Sequence, residues 1–238
     1  MRGDFGSRLA AASERGGPII LAADYARPQN AIRETARLTH DLLPYICAVK
    51  MNLQLLLPLD MDTIKGAVSQ VQKRNLPCIA DIKLNDIGNT NKDVCNTLWQ
   101  AGFDAVIVNP IMGPGALSSL ATAAHDHKKG IISLCHMSSP EGAVSYESVV
   151  DGKPLYTRFL EWGLSADVDG VIIGATYPDI IRECRRVSGD KLDIISPGVG
   201  AQGGSAVSAL RNGSDYVVVG RSLLESADPA QTAKSLLA

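Results

Sequence analysis

The stretch IADIKLNDIGNT, residues 79–90, begins as a buried strand and ends in alternating charges. Asp81, Lys83 and Asp86 interrupt an apolar, β-rich run. Charge inside a fold is costly unless it is paired and hydrogen-bonded. In an extended strand, alternate side chains share a face, so Ile79, Asp81 and Lys83 point one way and Cys78, Ala80 and Ile82 the other. Ala80 and Ile82 suit a face covered by helices, which leaves Asp81 and Lys83 facing an interior. A parallel barrel offers such an interior, because its strand ends converge at a C-terminal mouth where its active sites sit.

Working outward, short apolar runs recur along the chain at 19–24, 45–50, 78–83, 105–110, 131–136, 170–175, 192–198 and 215–220. Most are apolar on both faces, as parallel strands covered by helices must be. Helical patterns lie between them. Within 60–73, Ile64, Ala67, Val68 and Val71 fall on one helical face. A helix over 28–43 starts with a proline, and others are expected at 89–101, 114–127, 154–165, 177–187, 204–211 and 228–237. Eight strand–helix alternations in 238 residues match a single-domain α/β chain folded as a (β/α)8 TIM barrel, preceded by a short extension at 1–17. A doubly wound open sheet is the alternative on periodicity alone.

Composition narrows the function classes. The net charge of −2 gives no reason to expect a nucleic acid or an anionic membrane as partner. No apolar run reaches the roughly 18 residues of a membrane span, and the first residues lack the apolar core of a secretory signal. The five cysteines are scattered with no C-x-x-C spacing, which reads as reduced packing residues of a cytoplasmic protein.

The strand ends carry the chemistry. Asp24 closes the first run, Lys50 the second, Asp81 and Lys83 the third. Two ammoniums and two carboxylates at one mouth can neutralise each other, which makes their burial tolerable. The competing reading is a set of ion pairs that merely closes the barrel top. After the seventh strand comes SPGVGAQGG (196–204), framed by Pro197 and Gln202, and after the eighth GRSLL (220–224). Glycines let backbone N–H groups approach an anion. The loops after strands 7 and 8 are where such barrels hold phosphate, and Arg221 offers a guanidinium fork that fits one. The connection MSSPEGAVSYESVVDGK (137–153) is long for a βα loop, as lids and binding loops are. His136 and the His125–His127 pair show no ligand-like partners, and the pair reads as the solvated end of a helix. Asp104 and Asp215 fall at the barrel bottom, where residues serve stability.

DIKLNDIGNT resembles the D-x-K-x-x-D-I-x-x-T signature of the orotidine 5′-monophosphate decarboxylase family. LAAD, AVK, MSSP, SPGVGAQGG and VGRSLL follow in that family's order, so the resemblance runs from about residue 19 to the C-terminus and is greatest for the shorter archaeal and bacterial forms. The D-x-K element alone is shared with related sugar-phosphate barrels. The resemblance implies a catalytic tetrad of Lys50, Asp81, Lys83 and Asp86, with Lys83 the proton donor. It implies that Asp86 and Thr90 reach the neighbouring site of a homodimer. Asp24 matches a ribose contact, Ser138 a pyrimidine contact, Gln202 a link between base and phosphate, and Arg221 the phosphate clamp. Met137, Pro197, Gly203 and Gly220 accompany them as substrate-binding positions. MSSPEG departs from the commoner His-Pro-Gly form after the serine, and 141–153 looks longer or differently built.

The activity implied is conversion of orotidine 5′-monophosphate to uridine 5′-monophosphate in pyrimidine biosynthesis, with no metal and no cofactor. Two rivals remain at this point. A Mg²⁺-dependent keto-sugar-phosphate decarboxylase or aldolase of the same barrel group would need an acidic ligand at the end of strand 2, where Lys50 stands. A catalytically silent phosphate- or nucleotide-binding protein on a barrel scaffold would bind uridine 5′-monophosphate without consuming orotidine 5′-monophosphate, and the intact tetrad argues against it.

Overall fold

The computed structural model describes residues 3–25 and 31–238. Its barrel strands form where apolar residues are buried on both faces. In chain order they are β1 (Ile19–Ala22), β2 (Ile46–Asn52), β3 (Cys78–Leu84), β4 (Ala105–Val108), β5 (Gly130–His136), a two-stranded hairpin of β6 (Val149–Val150) and β7 (Lys153–Pro154), β8 (Gly170–Ile173), β9 (Asp193–Pro197) and β10 (Tyr216–Val219). Every strand but the hairpin pair joins one closed parallel barrel in the order β1-β10-β9-β8-β5-β4-β3-β2. This is the (β/α)8 barrel expected from the sequence, and the open-sheet alternative falls with it.

The helices wrap the barrel. They are α1 (Asp4–Arg15), α2 (Ala31–Asp41), α3 (Leu53–Leu56), α4 (Met61–Gln72), α5 (Gly88–Gln100), α6 (Pro114–Asp126), α7 (Glu141–Tyr146), α8 (Leu155–Ser165), α9 (Pro178–Ser188), α10 (Ala206–Arg211), α11 (Arg221–Leu224) and α12 (Pro229–Leu236). The proline start expected for the second of these lies outside the described residues. In α4, Asp60 caps the first turn by accepting from the Thr63 amide, and Ile64, Ala67, Val68 and Val71 are the buried stripe. No helix among the described residues is long and apolar enough to cross a membrane. All five cysteine thiols are free and buried.

The barrel bottom is built for stability. Asp104 accepts from Arg8 at 2.5 Å, from Gln72 at 3.1 Å and from the Cys78 amide at 2.9 Å. Asp215 accepts from Arg185 and from the Ile194 amide. Helix α1, within the stretch set apart in sequence as an extension, closes this end. Phe5, Leu9 and Ala12 fall on one face and are buried, and a Cβ at Gly130 would collide with the Phe5 ring.

The ring of Phe5 therefore fills space under β5, far from the mouth. Phe5→Ala should cost about 3–5 kcal/mol and lower the thermal midpoint by roughly 10 °C. A calorimetric scan showing no shift would mean that α1 is not part of the cooperative fold.

Candidate active site

At the mouth, β1, β2 and β3 bring four charges into a chain. Lys50 Nζ donates to Asp81 Oδ2 at 2.7 Å and to Asp24 Oδ1 at 3.4 Å, and Lys83 Nζ donates to Asp81 Oδ1 at 2.7 Å. The register explains the first contacts: Ala22 pairs with Lys50 across β1 and β2, and Asn52 with Asp81 across β2 and β3. The side chains of Lys50 and Asp81 are 7% and 9% exposed, while that of Lys83 is 43% exposed. Burial alone would raise the Asp81 pKa, but the flanking ammoniums of Lys50 and Lys83 hold it below its ordinary value of 3.8. Burial alone would lower that of Lys50, but Asp81 and Asp24 hold it above its ordinary value of 10.5. Both groups are thus fixed in their charged forms.

Lys83 does not follow the strand alternation read from the sequence. Its φ is +47°, a left-handed conformation that costs a side-chain-bearing residue about 1–2 kcal/mol. The pairing of β3 with β4 slips there, from Asp81↔Ile107 to Leu84↔Val108. The irregularity, rather than a two-residue repeat, turns the Lys83 ammonium onto Asp81. Strain of this kind collects at functional sites, where surrounding structure holds it in place.

Asp86 and Thr90 stand apart from this chain. Both are exposed. The Asp86 carboxylate accepts from the Ile87 amide at 2.6 Å, and its backbone is tied to Asn91 in both directions. Among the described residues no ion pair joins Asp86 to Lys50 or Lys83 of its own chain.

One cavity brings together Asp24, Lys50, Asp81, Lys83, Met137, Ser138, Pro197, Gln202, Gly220 and Arg221. Its floor is apolar, from Ile107, Leu134, Ile172 and Val218. Gly203 lies in the adjoining loop, where its amide donates to the Gly200 carbonyl at 2.7 Å. The loop can close so tightly because Gly198 and Gly200 hold φ of +95° and +72°. A Cβ at Gly200 would strike the Ser222 hydroxyl, so the Ser222 side chain at the start of α11 packs directly against the bare backbone of this loop. Arg221 opens α11 at the exposed rim. Among the described residues no three His, Cys, Asp or Glu side chains gather as a metal cage.

Two residues at the site escaped the sequence reading. Asn52 lines the cavity, and its buried Oδ1 has no hydrogen-bond partner among the described residues. The signal was its position two residues after Lys50 on the same strand face. His136, read as lacking partners, is fully buried and contacts Glu147 and three tyrosines. The partners come from distant segments, which no local pattern announces. The His125–His127 pair does lie at the solvated end of α6, with His127 exposed; there His125 also bonds Asp169 at 3.2 Å and His127 stacks on Trp99.

Because folding lowers the Asp81 pKa, its ionised form stabilises the fold above 3.8, and that contribution is lost as the pH falls through the folded-state value. In urea titrations over a pH series, the wild type should lose more stability than Asp81→Asn on acidification. At neutral pH the variant should be less stable by about 3–5 kcal/mol, since Lys50 loses its nearer partner. Parallel pH profiles would contradict the pairing.

The model of the orotidine 5′-phosphate decarboxylase / HUMPS family matches residues 17–236. The orotidine 5′-phosphate decarboxylase of Methanosarcina mazei is 33% identical over 220 residues, covering 92% of this chain and 93% of that one. The crystal structure of orotidine 5′-phosphate decarboxylase from Pyrococcus horikoshii matches with a TM-score of 0.74 at 30% identity, covering 92% of this chain and 97% of that one. The enzyme from Methanocaldococcus jannaschii, solved in complex with the inhibitor BMP, matches with a TM-score of 0.77 at 26% identity over 92% and 95% of the two chains. With a family match that spans the whole barrel and a relative of this identity over nearly its full length, the chain belongs to the orotidine 5′-phosphate decarboxylase / HUMPS family.

Proposed function

We propose that the protein decarboxylates orotidine 5′-monophosphate to uridine 5′-monophosphate, a step of pyrimidine biosynthesis, without metal or cofactor. The observation that carries this reading is the charged chain Asp24–Lys50–Asp81–Lys83, set in the same cavity as Arg221 and the 198–204 loop. A nucleotide would lie with its phosphate against Arg221 and the Gly203 loop and its ribose at Asp24. Its base would lie between Ser138 and Gln202, with C6 at Lys83. Met137, Pro197 and Gly220 complete the walls.

The chemistry follows from the charges. The C6–carboxylate bond breaks, CO₂ leaves, and the electron pair stays on C6. The pyrimidine ring delocalises that pair poorly, so the site must be prepared for negative charge at that atom. The Lys83 ammonium meets it and then gives C6 its proton. Asp81, ionised and held by two ammoniums, faces the substrate carboxylate and disfavours the ground state. Phosphate binding at the far end supplies energy that is used at the reacting carbon. The Mg²⁺-dependent rival fits poorly, since Lys50 occupies the position of its acidic ligand and engages both Asp24 and Asp81.

The active unit in this reading is a homodimer in which Asp86 and Thr90 complete the neighbour's site. Leu53, Leu57, Ile87 and Ile111 support it: these four residues, in the segments that follow β2, β3 and β4, are 49–77% exposed, and Ile87 adjoins Asp86 in sequence. An exposed apolar strip of this kind marks an interface.

The test follows orotidine 5′-monophosphate by ultraviolet absorbance. Purified protein should consume it equally well with and without chelator. Lys83→Ala should keep binding uridine 5′-monophosphate and lose nearly all turnover. Mixing Lys83→Ala with Asp86→Ala chains under subunit exchange should restore roughly a quarter of wild-type activity, because half the dimers are mixed and one site in each is intact. No consumption by the wild type refutes the activity. No recovery on mixing refutes the shared site.

A further inference from the structure

The chain between β5 and α7 is held by more side chains than a surface loop needs. Three successive carbonyls each accept a hydrogen bond from a side chain. His136 Nδ1 lies 2.8 Å from Met137 O, and since a carbonyl only accepts, Nδ1 carries the proton. Thr176 Oγ1 donates to Ser138 O at 2.9 Å, and Tyr177 OH to Ser139 O at 2.9 Å. The Gly174 amide donates to His136 O at 3.1 Å. The His136 ring is fully buried, with the Tyr177, Tyr146 and Tyr156 rings at centroid distances of 4.3, 5.6 and 5.9 Å. Its Nε2 lies 3.2 Å from Glu147 Oε1, beside the C-terminal end of α7.

Ser138 sits at the centre of this clamp. Gly174 and Gly198 press on it from two strand ends: an added Cβ would come within 2.5 Å of Ser138 Cα from the first and 2.7 Å of Ser138 Cβ from the second. Met137, Ser138 and Ser139 all line the cavity. Side chains at 136, 176 and 177 thus set the backbone of a cavity-lining segment without lining the cavity themselves.

We propose that His136, Thr176 and Tyr177 are positioning residues that fix Ser138 and thereby set recognition of the pyrimidine base. This rests on the proposed placement of the base at Ser138. It goes further by naming a clamp on Ser138 whose side chains come from the ends of β5 and β8, whereas the phosphate grip comes from the loops after β9 and β10. Fixing a polar contact in advance spares the ligand the cost of ordering it, and a misplacement near 1 Å weakens both binding and catalysis.

The experiment compares two ligands on the full chain by calorimetry: uridine 5′-monophosphate, and ribose 5-phosphate, which has the same phosphate and sugar but no base. His136→Leu and Thr176→Val should each weaken uridine 5′-monophosphate by about tenfold, the scale of one lost hydrogen bond to a fixed group. Both should leave ribose 5-phosphate within about twofold. His136→Asn, whose amide nitrogen takes the place of Nδ1, and Thr176→Ser should recover most of the loss. Thr176→Val removes a single hydroxyl and serves if His136→Leu fails to fold. Equal losses for the two ligands would show a purely structural role and overturn the proposal, as would no loss for either. A wild-type chain that binds no uridine 5′-monophosphate overturns the functional reading and this one together. Normal wild-type binding with indifferent variants overturns this one alone.

Discussion

Asp81 is held between two ammoniums, and the upper half of the barrel is arranged to keep it there. Its carboxylate meets Lys50 on one oxygen and Lys83 on the other, each at 2.7 Å. Neither Lys50 nor Asp81 could stay charged alone at this depth, because removal from water penalises each ion by several kcal/mol. Together, and with Asp24 as a further partner, they hold their charged forms. Such a network is seldom the most stable filling for its space, since apolar residues of similar volume are often equally good or better. Its presence at the mouth, beside a left-handed lysine, is what the proposed function explains: a network that gives up stability for a prepared electric field.

The rest of the molecule isolates that field. The bottom is closed by α1 and by the Asp104 and Asp215 clusters, at the end opposite the charges. An apolar floor of Ile107, Leu134, Ile172 and Val218 lies in the cavity with the charges. A low-polarity floor strengthens each electrostatic contact above it. The glycine loop after β9 and the clamp after β5 frame the same cavity and meet where Gly198 packs on Ser138.

Much of this was legible in the sequence, for definite reasons. Eight apolar runs covered by amphipathic helices allow few closed arrangements, and strand burial on both faces removes ambiguity about which residues are inside. Asp24, Lys50 and Asp81 could be placed at the mouth because a strand's last interior position is fixed by its period. Lys83 could not be placed that way: its backbone leaves the extended region, and only the register slip against β4 turns its ammonium onto Asp81. The environment of His136 was hidden because its partners, Glu147, Tyr146, Tyr156 and Tyr177, come from three separate helices or their edges. The segment 137–153 read as a long lid or binding loop without elements of its own, since α7 and the β6–β7 hairpin are too short to print a period. Helix α1 was visible in principle, from Phe5, Leu9 and Ala12 on one face, but its small and charged residues masked the stripe.

The central claim is that the mouth charges exist for chemistry and not for folding. Stability and turnover of the triple variant Lys50→Met, Asp81→Leu, Lys83→Met test it directly, by urea denaturation and by the absorbance of orotidine 5′-monophosphate. The account predicts a folded barrel at least as stable as the wild type, since the whole buried network is replaced rather than broken, with no detectable turnover. A variant that unfolds would make the charges a structural seal, and one that still turns over substrate would place the chemistry elsewhere.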